Sequence, residues 1–403
     1  MIVHGLLLAA LTLGHLVLIV LVINVSHGLG YDARRMDRFV MAILVVVFGL
    51  TLWAGWWLAV TPWAAWPFAA KAYAGVALAV ALIGLPGVTI ARALRPRPAE
   101  VSGRSAEVDL AANLGASPPV GRGPIATLLK LPGNESLRLW RSQWRVELPD
   151  LPRACDGLTI VQLSDFHFQP GFDRRYFEAV ADEAMRGVPD LAVFTGDLID
   201  DASCLEWAVP VLSRVRGRLG QFAILGNHDR HFDPGPVAGA LEEAGFTLLE
   251  GRWTRIEVGD AAIALGGTSF PWGPALDPAE MPEADVRVLL SHTPDLLYRA
   301  SGWGIDLMLS GHNHGGQVRL PLIGPVLMPS RFSRRFDQGF FRDGPTLLYA
   351  CRGVAAKHPI RYGCPPEVAV FELRTAPVPA RREGASKEPR PEHERRRSSN
   401  VLS

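Results

Sequence analysis

The sequence is poor in cysteine: four in 403 residues, Cys155, Cys204, Cys351 and Cys364, with no CxxC pair among them. That argues against a thiolate zinc site or a redox dithiol. A Cys351–Cys364 disulfide is one reading of the closest pair, and buried free thiols are the simpler one. Excess charge is missing too. Lys and Arg number 41 against 40 Asp and Glu, so overall electrostatics favour neither nucleic acid nor an acidic substrate. Three long apolar stretches, 2–25, 39–60 and 68–90, hold no Asp or Glu. This argues against a transporter, whose ion path needs polar groups inside the membrane. The first residues, MIVHGLLLAA, lack a basic leader and a twin arginine, which favours a retained helix over a cleaved signal.

What is present divides the chain into four parts. Residues 1–91 contain the apolar stretches, each roughly 22 residues long, enough to cross a hydrocarbon core ~30 Å thick. Three transmembrane helices are expected there, with His4, His15, Asn24 and Lys71 as the main polar exceptions. The 26–38 connection carries Arg34, Arg35 and Arg38; the 61–67 connection, TPWAAWP, carries no cation; Arg92, Arg95 and Arg97 follow the third stretch. Cations favour the cytoplasmic side, so the first connection and everything after the third span should face the cytoplasm. Residues 92–150 are expected to be a linker, flexible over 96–124, with 125–149 either on the membrane surface or opening the next domain. Residues 151–375 look globular. The tail, 376–403, alternates charges and should be disordered, with a headgroup contact by Arg395, Arg396 and Arg397 as the alternative.

Within 151–375 one pattern repeats. Five short apolar runs end in Asp, Asn or His: 158–163 leads to Asp165 and His167, 191–194 to Asp197, 222–225 to Asn227, His228 and Asp229, 286–290 to His292, and 305–309 to His312 and His314. Such runs suit strands buried on both faces. Helix-length stretches at 174–186 and 205–215 lie between the first three, so an α/β layered domain is expected. Ligands in such sheets bind beyond the carboxyl ends of the strands, where these residues fall. Asp165 and His167, like His312 and His314, are two apart in what should be extended chain and would point the same way. Neighbouring glycines would let the backbone approach closely.

The donor set is four imidazoles, two carboxylates and one amide oxygen. One ion of four to six coordination cannot use all seven, but two ions sharing Asp197 can. The donor mix suits Mn, Fe or Zn better than Ca or Cu(I). Any one stretch alone is weak, because a lone buried His or a Gly-Asp turn is more often structural. Five in order at strand ends are hard to ascribe to turn chemistry. Asp173, Asp190, Asp200 and Asp201 are expected as helix caps or turns.

The motifs SDFHF, TGDLID, LGNHDR, LSHTP and SGHNHGGQVRLP resemble, in that order, the calcineurin-like metallophosphoesterase superfamily, and in particular its membrane-associated bacterial phosphodiesterases. The resemblance implies an α/β fold, a four-layer αββα sandwich, preceded here by the transmembrane helices and set in a bacterial inner membrane. It implies two divalent metal ions, Mn foremost, one on Asp165, His167, Asp197 and His314, the other on Asp197, Asn227, His292 and His312. His228 would contact the phosphate or protonate the leaving group, with Asp229 as its orienting partner. Asp201 stands where the serine/threonine phosphatases of the superfamily carry an arginine, which counts against a phosphoprotein substrate. After the last motif, Arg331, Arg334 and Arg335 lie beside the apolar residues Leu320, Leu322, Ile323, Val326, Leu327, Met328 and Phe332. These are candidate contacts for a phosphorylated lipid, such as an acylated UDP-sugar, and for membrane lipid. The alternatives are a soluble nucleotide or other small diester, or a decayed site in a binding protein. Neither nucleic acid nor a protein partner is expected.

Overall fold

The computed structural model describes residues 2–27, 33–110, 114 and 118–376. The expected disordered tail, with Arg395, Arg396 and Arg397, lies outside the described residues beyond Ala376.

The apolar stretches form helices α1 (Ile2–His27), α2 (Ala33–Val60), α3 (Phe68–Ala79) and α4 (Leu85–Ala93). A π-helical turn, Val80–Gly84, joins the last two. Pro86 explains that turn. It has no N–H to donate and its ring would meet the carbonyl four residues back, so the helix widens before it. Among the described residues, three helical segments are long and apolar enough to cross a membrane: Leu6–Ser26, Arg38–Trp57 and Phe68–Ala93. Ala70, Ala74, Ala77 and Ala81 form a buried stripe of small side chains on α3 and the π turn, both of which pack on α1. Small residues let helix backbones approach where lipid gives no hydrophobic push. Val45, Phe48 and Ile83 remain exposed on the outside.

Two sheets follow. The first contains β1 (Val101–Glu107), β2 (Trp140–Leu148), β3 (Thr159–Leu163), β4 (Leu191–Thr195), β5 (Gly220–Ile224) and β6 (Thr247–Leu248). The second contains β7 (Arg252–Val258), β8 (Ala261–Thr268), β9 (Val286–Ser291), β10 (Leu307–Ser310), β13 (Gly339–Asp343) and β14 (Thr346–Ala350). A two-stranded ribbon, β11 (Arg319–Leu320) with β12 (Gly324–Pro325), stands apart. The last strand, β15 (Glu367–Thr375), returns to the first sheet. The strand orders are β1-β2-β15-β3-β4-β5-β6 and β13-β14-β10-β9-β8-β7. β3, β4 and β5 run parallel, as do β8, β9, β10 and β14.

Alternation along each strand builds the layers. Ile160, Val193, Ile224, Val288, Leu290, Leu307 and Leu309 meet between the two sheets. Their neighbours Val161, Phe194 and Ala223 turn outward under α5 (Arg174–Ala184), α6 (Ala208–Leu212) and α8 (Pro234–Glu243). Leu289, Met308 and Leu348 turn the other way under α9 (Leu297–Gly302). A period of two places successive side chains on opposite faces, so the order of layers is helix, sheet, sheet, helix.

Two expectations need correction. Residues 92–150 are not all linker or membrane-surface segment, because they supply β1 and β2. In WRSQWRVEL, Ser142, Val146 and Leu148 are buried at alternate positions while Gln143 is exposed. That alternation outweighs the Arg and Trp content. The 205–215 helix is shorter than expected: a 3-10 segment, Ala202–Trp207, precedes α6. Pro210 cannot donate to the Glu206 carbonyl, which disfavours a continuous α-helix. The four cysteines are free and buried, with no Cys351–Cys364 bridge.

Buried Glu367 knits the sandwich. Its carboxylate accepts from Ser142 Oγ (2.8 Å), Tyr349 OH (2.9 Å), Arg352 N (2.9 Å) and Arg352 Nε (2.9 Å). Burial opposes the charge, but Arg352 and these hydrogen bonds hold its pKa below the usual value. Glu367→Gln leaves Arg352 without its countercharge and is expected to destabilise the sandwich by ~3–5 kcal/mol. The unfolded chain takes up this proton at higher pH than the folded one. The contribution is therefore complete above the ordinary glutamate pKa of ~4.3 and fades as pH falls through the folded value. Thermal midpoints of the detergent-solubilised wild type and variant at pH 7 and pH 3.5 check this; the gap should narrow at the lower pH.

Candidate metal centre

Every residue of the repeated pattern falls just beyond the carboxyl end of β3, β4, β5, β9 or β10. The backbone there is not extended, contrary to expectation. Asp165 (φ 57°), His167 (47°), Asp197 (59°), His312 (70°) and His314 (47°) all lie in the left-handed region, and His314 opens a 3-10 turn, His314–Gly316. Residues with a Cβ reach this region only at a cost, which the surroundings must over-determine. Here backbone hydrogen bonds do so: Asp165 N donates to Gly196 O (2.9 Å) and His167 N to Asp197 O (3.0 Å). The same-side placement of each pair thus comes from turns. Gly311 is needed for close approach, since a Cβ there would lie 2.0 Å from Ser164 Oγ and 2.5 Å from Asp165 Oδ2.

The seven candidate ligands come together. Asp165, His167, Asp197 and His314 present atoms within 4.8 Å of one another, and so do Asp197, His292 and His312. Asp197 belongs to both groups. In the first, His167 Nε2 lies 3.2 Å from His314 Nε2 and 3.6 Å from Asp197 Oδ2, and His314 Nε2 lies 3.5 Å from Asp165 Oδ1. In the second, His292 Nε2 lies 3.3 Å from Asp197 Oδ2 and 3.0 Å from Asn227 Oδ1. Three far ring nitrogens are anchored by hydrogen bonds, His292 Nδ1 on Thr195 O (2.8 Å), His314 Nδ1 on Ala355 O (3.0 Å) and His312 Nε2 on Pro329 O (2.7 Å), while His167 Nδ1 forms an ion-pair contact with Asp200 Oδ2 at 3.0 Å. Anchoring one nitrogen fixes the tautomer and frees the other for a cation.

The electrostatics suit divalent cations. Burial alone would depress the imidazoles, yet Asp200, Asp197 and Asp165 raise His167 to about 9, and Asp197 and Asp165 raise His292 to about 9. Burial, with His292 beside one and His167 beside the other, pushes His312 and His314 well below the usual range. Burial raises Asp165. For Asp197 burial is outweighed by His292, His228 and His167, which hold it well below the usual range. Buried carboxylates that draw protons onto neighbouring rings, and bare ring nitrogens facing one another, fit divalent ions.

His228 stands at the edge, its side chain 23% exposed. Its backbone N–H donates to Asp197 Oδ1 (2.8 Å) and its Nδ1 bonds Asp200 Oδ1. The expected orienting role of Asp229 is therefore corrected. Asp229 is fully buried and accepts from Asp197 N (2.9 Å), Leu198 N (2.7 Å), Ile199 N (3.1 Å) and Gly226 N (2.8 Å). It ties the two loops together, and burial beside Asp197 lifts its pKa to about 6. Asp200 is the residue that the sequence reading missed: it touches both His167 and His228, and is neither cap nor turn. Its position three residues after Asp197, on the far side of an apolar pair, was the available signal. Asp173 and Asp201 do cap helices, accepting from Arg175 N and Ser203 N, and Asp190 accepts from Thr159 N.

The candidate substrate arginines do not join the cluster. Arg331 N donates to Asp295 Oδ2 (2.7 Å), Arg334 Nη2 donates to Ile323 O, and the Arg335 guanidinium lies over the Tyr298 ring, 5.5 Å from its centroid. None of the three bonds to the seven side chains. Their loop does touch the centre, because it carries Pro329.

Comparison with known proteins places this geometry. The sequence model described as Calcineurin-like phosphoesterase matches residues 158–316, a span that holds all seven side chains. Phosphodiesterase YaeI of Escherichia coli (strain K12) is 32% identical over 225 residues, 53% of this chain and 81% of that protein. The metallophosphoesterase YkuE of Bacillus subtilis (strain 168) is 28% identical over 239 residues, 56% of this chain and 82% of that protein. UDP-2,3-diacylglucosamine pyrophosphatase LpxG of Chlamydia muridarum (strain MoPn / Nigg) is 26% identical over 310 residues, 60% of this chain and 90% of that protein.

Proposed function

Since the chain belongs to the calcineurin-like metallophosphoesterase family and is a hydrolase of phosphate-ester bonds, we propose that it cleaves a phosphodiester or pyrophosphate of a lipid-linked substrate at a dinuclear centre. The shared carboxylate of Asp197 carries this reading, because it is the one group common to both donor clusters. Asp165, His167, Asp197 and His314 would hold one ion, and Asp197, Asn227, His292 and His312 the other, with Mn the best match to the donors. Such ions, when bound, offset charge on the phosphoryl oxygens and make water a nucleophile near neutral pH. The protein's own residues do the rest. Asp200 holds His228 through Nδ1, leaving Nε2 to donate a proton to the departing oxygen. Asp229 fixes the backbone that carries Asp197, and neither a Ser nor a Cys is needed as a covalent relay.

The lipid part rests on how the membrane helices meet the centre. Near the end of α1, Asn24 is buried, and its side chain bonds Val326 O (3.3 Å), Ser333 Oγ (3.2 Å) and Met328 N (2.8 Å). The same loop offers Pro329 O to His312. Leu320, Leu322 and Leu327 are exposed beside it, Leu322 by 91%. A span end, an apolar tip and a metal-ligand anchor therefore share one loop, which supports a site working at a bilayer surface. In this reading the chain crosses the inner membrane three times and the sandwich faces the cytoplasm, as the arginines of 26–38 and 92–97 favour. Proteoliposome assays check it, comparing an acylated nucleotide-sugar pyrophosphate in the bilayer with a soluble diester, alongside metal analysis. Leu320→Ser/Leu322→Ser/Leu327→Ser is expected to lower kcat/KM on the lipid by about tenfold or more, since each buried leucine is worth ~1.5–3 kcal/mol. The soluble rate should stay within about twofold, as for substitutions remote from the reacting atoms. Turnover of the soluble compound alone would overturn the lipid reading.

A further inference from the structure

Away from the seven ligands, a cavity of about 600 Å³ opens between the end of α4, the β1–β2 edge of the first sheet and β13. Five arginines line it, Arg92, Arg95, Arg97, Arg319 and Arg352, against two carboxylates, Asp337 and Glu367. Both carboxylates are already engaged. Buried Asp337 takes Arg319 Nη2 (2.8 Å), Arg92 Nε (2.9 Å) and Arg95 Nη1 (3.5 Å), while Glu367 pairs with Arg352 (2.8 Å). One carboxylate cannot neutralise three guanidinium groups, so the cavity keeps an excess of positive charge. The arginines are held in place as well. Arg319 Nη1 donates to Gly315 O (2.6 Å), Arg95 Nη1 to Arg335 O (3.1 Å), and the Arg95 guanidinium lies over the Phe341 ring (4.0 Å). Gly324, at φ 83°, sits against the Arg92 guanidinium: a Cβ there would lie 2.3 Å from Arg92 Nη1.

We propose that this cavity is a second, non-catalytic site that binds the phosphate of an anionic molecule, the headgroup of an acidic glycerophospholipid where the third helix leaves the membrane. Forked, pre-set guanidinium donors match phosphate oxygens. The position follows from the chain: α4 ends at Ala93, and Arg92, Arg95 and Arg97 stand where a spanning helix meets the headgroups. Trp144 and Phe340 add apolar wall beside the charges. The inference rests on the reading that Phe68–Ala93 crosses a bilayer, and does not need the hydrolytic reading to hold.

The full-length chain in nanodiscs tests it, with spin-labelled phosphatidylglycerol and phosphatidylcholine as probes and immobilised label as the readout. Wild type should retain phosphatidylglycerol in preference to phosphatidylcholine. Arg95→Gln/Arg97→Gln should lower that preference by about fivefold or more, as each interfacial cation contributes about fivefold. Arg104→Gln/Arg145→Gln, an equal loss of charge outside the cavity, should keep it. Arg97, Arg104 and Arg145 are exposed, and Asp337 keeps Arg92 and Arg319 when Arg95 is lost, so both pairs should fold, which thermal melts check. Displacement of the label by inorganic phosphate would support the phosphate site and make a soluble anion its source; retention of the label identifies the lipid. Equal immobilisation of the two lipids by wild type, or equal losses in the two double variants, would overturn the site.

Discussion

Asp197→Ala is expected to leave a folded protein that holds neither metal ion and no longer hydrolyses a phosphodiester. Asp197 Oδ2 faces His167 Nε2 at 3.6 Å and His292 Nε2 at 3.3 Å, one ring from each donor group. Losing this carboxylate removes one ligand from both ions and the negative charge that offsets them. The loss in rate should exceed the ~10²–10³-fold typical for one electrostatic stabiliser, and metal content should fall toward zero by elemental analysis. Asp197→Asn separates charge from shape. It keeps an oxygen for the His228 N–H, now 2.8 Å from Asp197 Oδ1, so the loop should stay in place while metal is still lost. A variant that retained both ions and near-normal turnover would end the dinuclear reading.

His228→Asn should separate metal binding from chemistry. His228 lies outside both proposed ligand sets, so metal content should be unchanged. The rate should fall on the order of 10²–10⁴-fold, most for substrates with poor leaving groups. Asp200→Asn should follow the same pattern more mildly, at roughly 10–100-fold, because it orients His228 rather than donating the proton. It also touches His167, so a small loss of metal affinity should accompany it. Rates on diesters of graded leaving-group pKa check both variants, and a flat response to leaving group would remove His228 from the protonation step.

The strand-end pattern was legible because it is local. Ile160 and Val161, or Leu289 and Leu290, face opposite layers through a period of two that any apolar run displays. Asp165, His167, Asp197, Asn227, His292, His312 and His314 were legible for the same reason, since each follows such a run. β2 was obscured by its own composition: Trp140, Arg141, Trp144 and Arg145 resemble a membrane-surface segment more than a strand between two others. Asp229 does not take the orienting role that the resemblance implied, because helix α7 (Asn227–His231) turns its side chain back under the 197–199 backbone.

The sequence by itself determined three apolar helices long enough to span a bilayer, an alternating α/β arrangement, and the kinds of donor at the ends of five strands. Run length, side-chain period and donor chemistry are properties of neighbouring residues and survive without a fold. Only the tertiary structure decided which carboxylate faces His228, that five of the seven candidate ligands lie in the left-handed region, that Asn24 grips the loop behind His312, and that one aspartate gathers three arginines beneath α4. Those contacts include one that joins residues 304 positions apart. Their geometry depends on how whole layers pack, which no local spacing encodes.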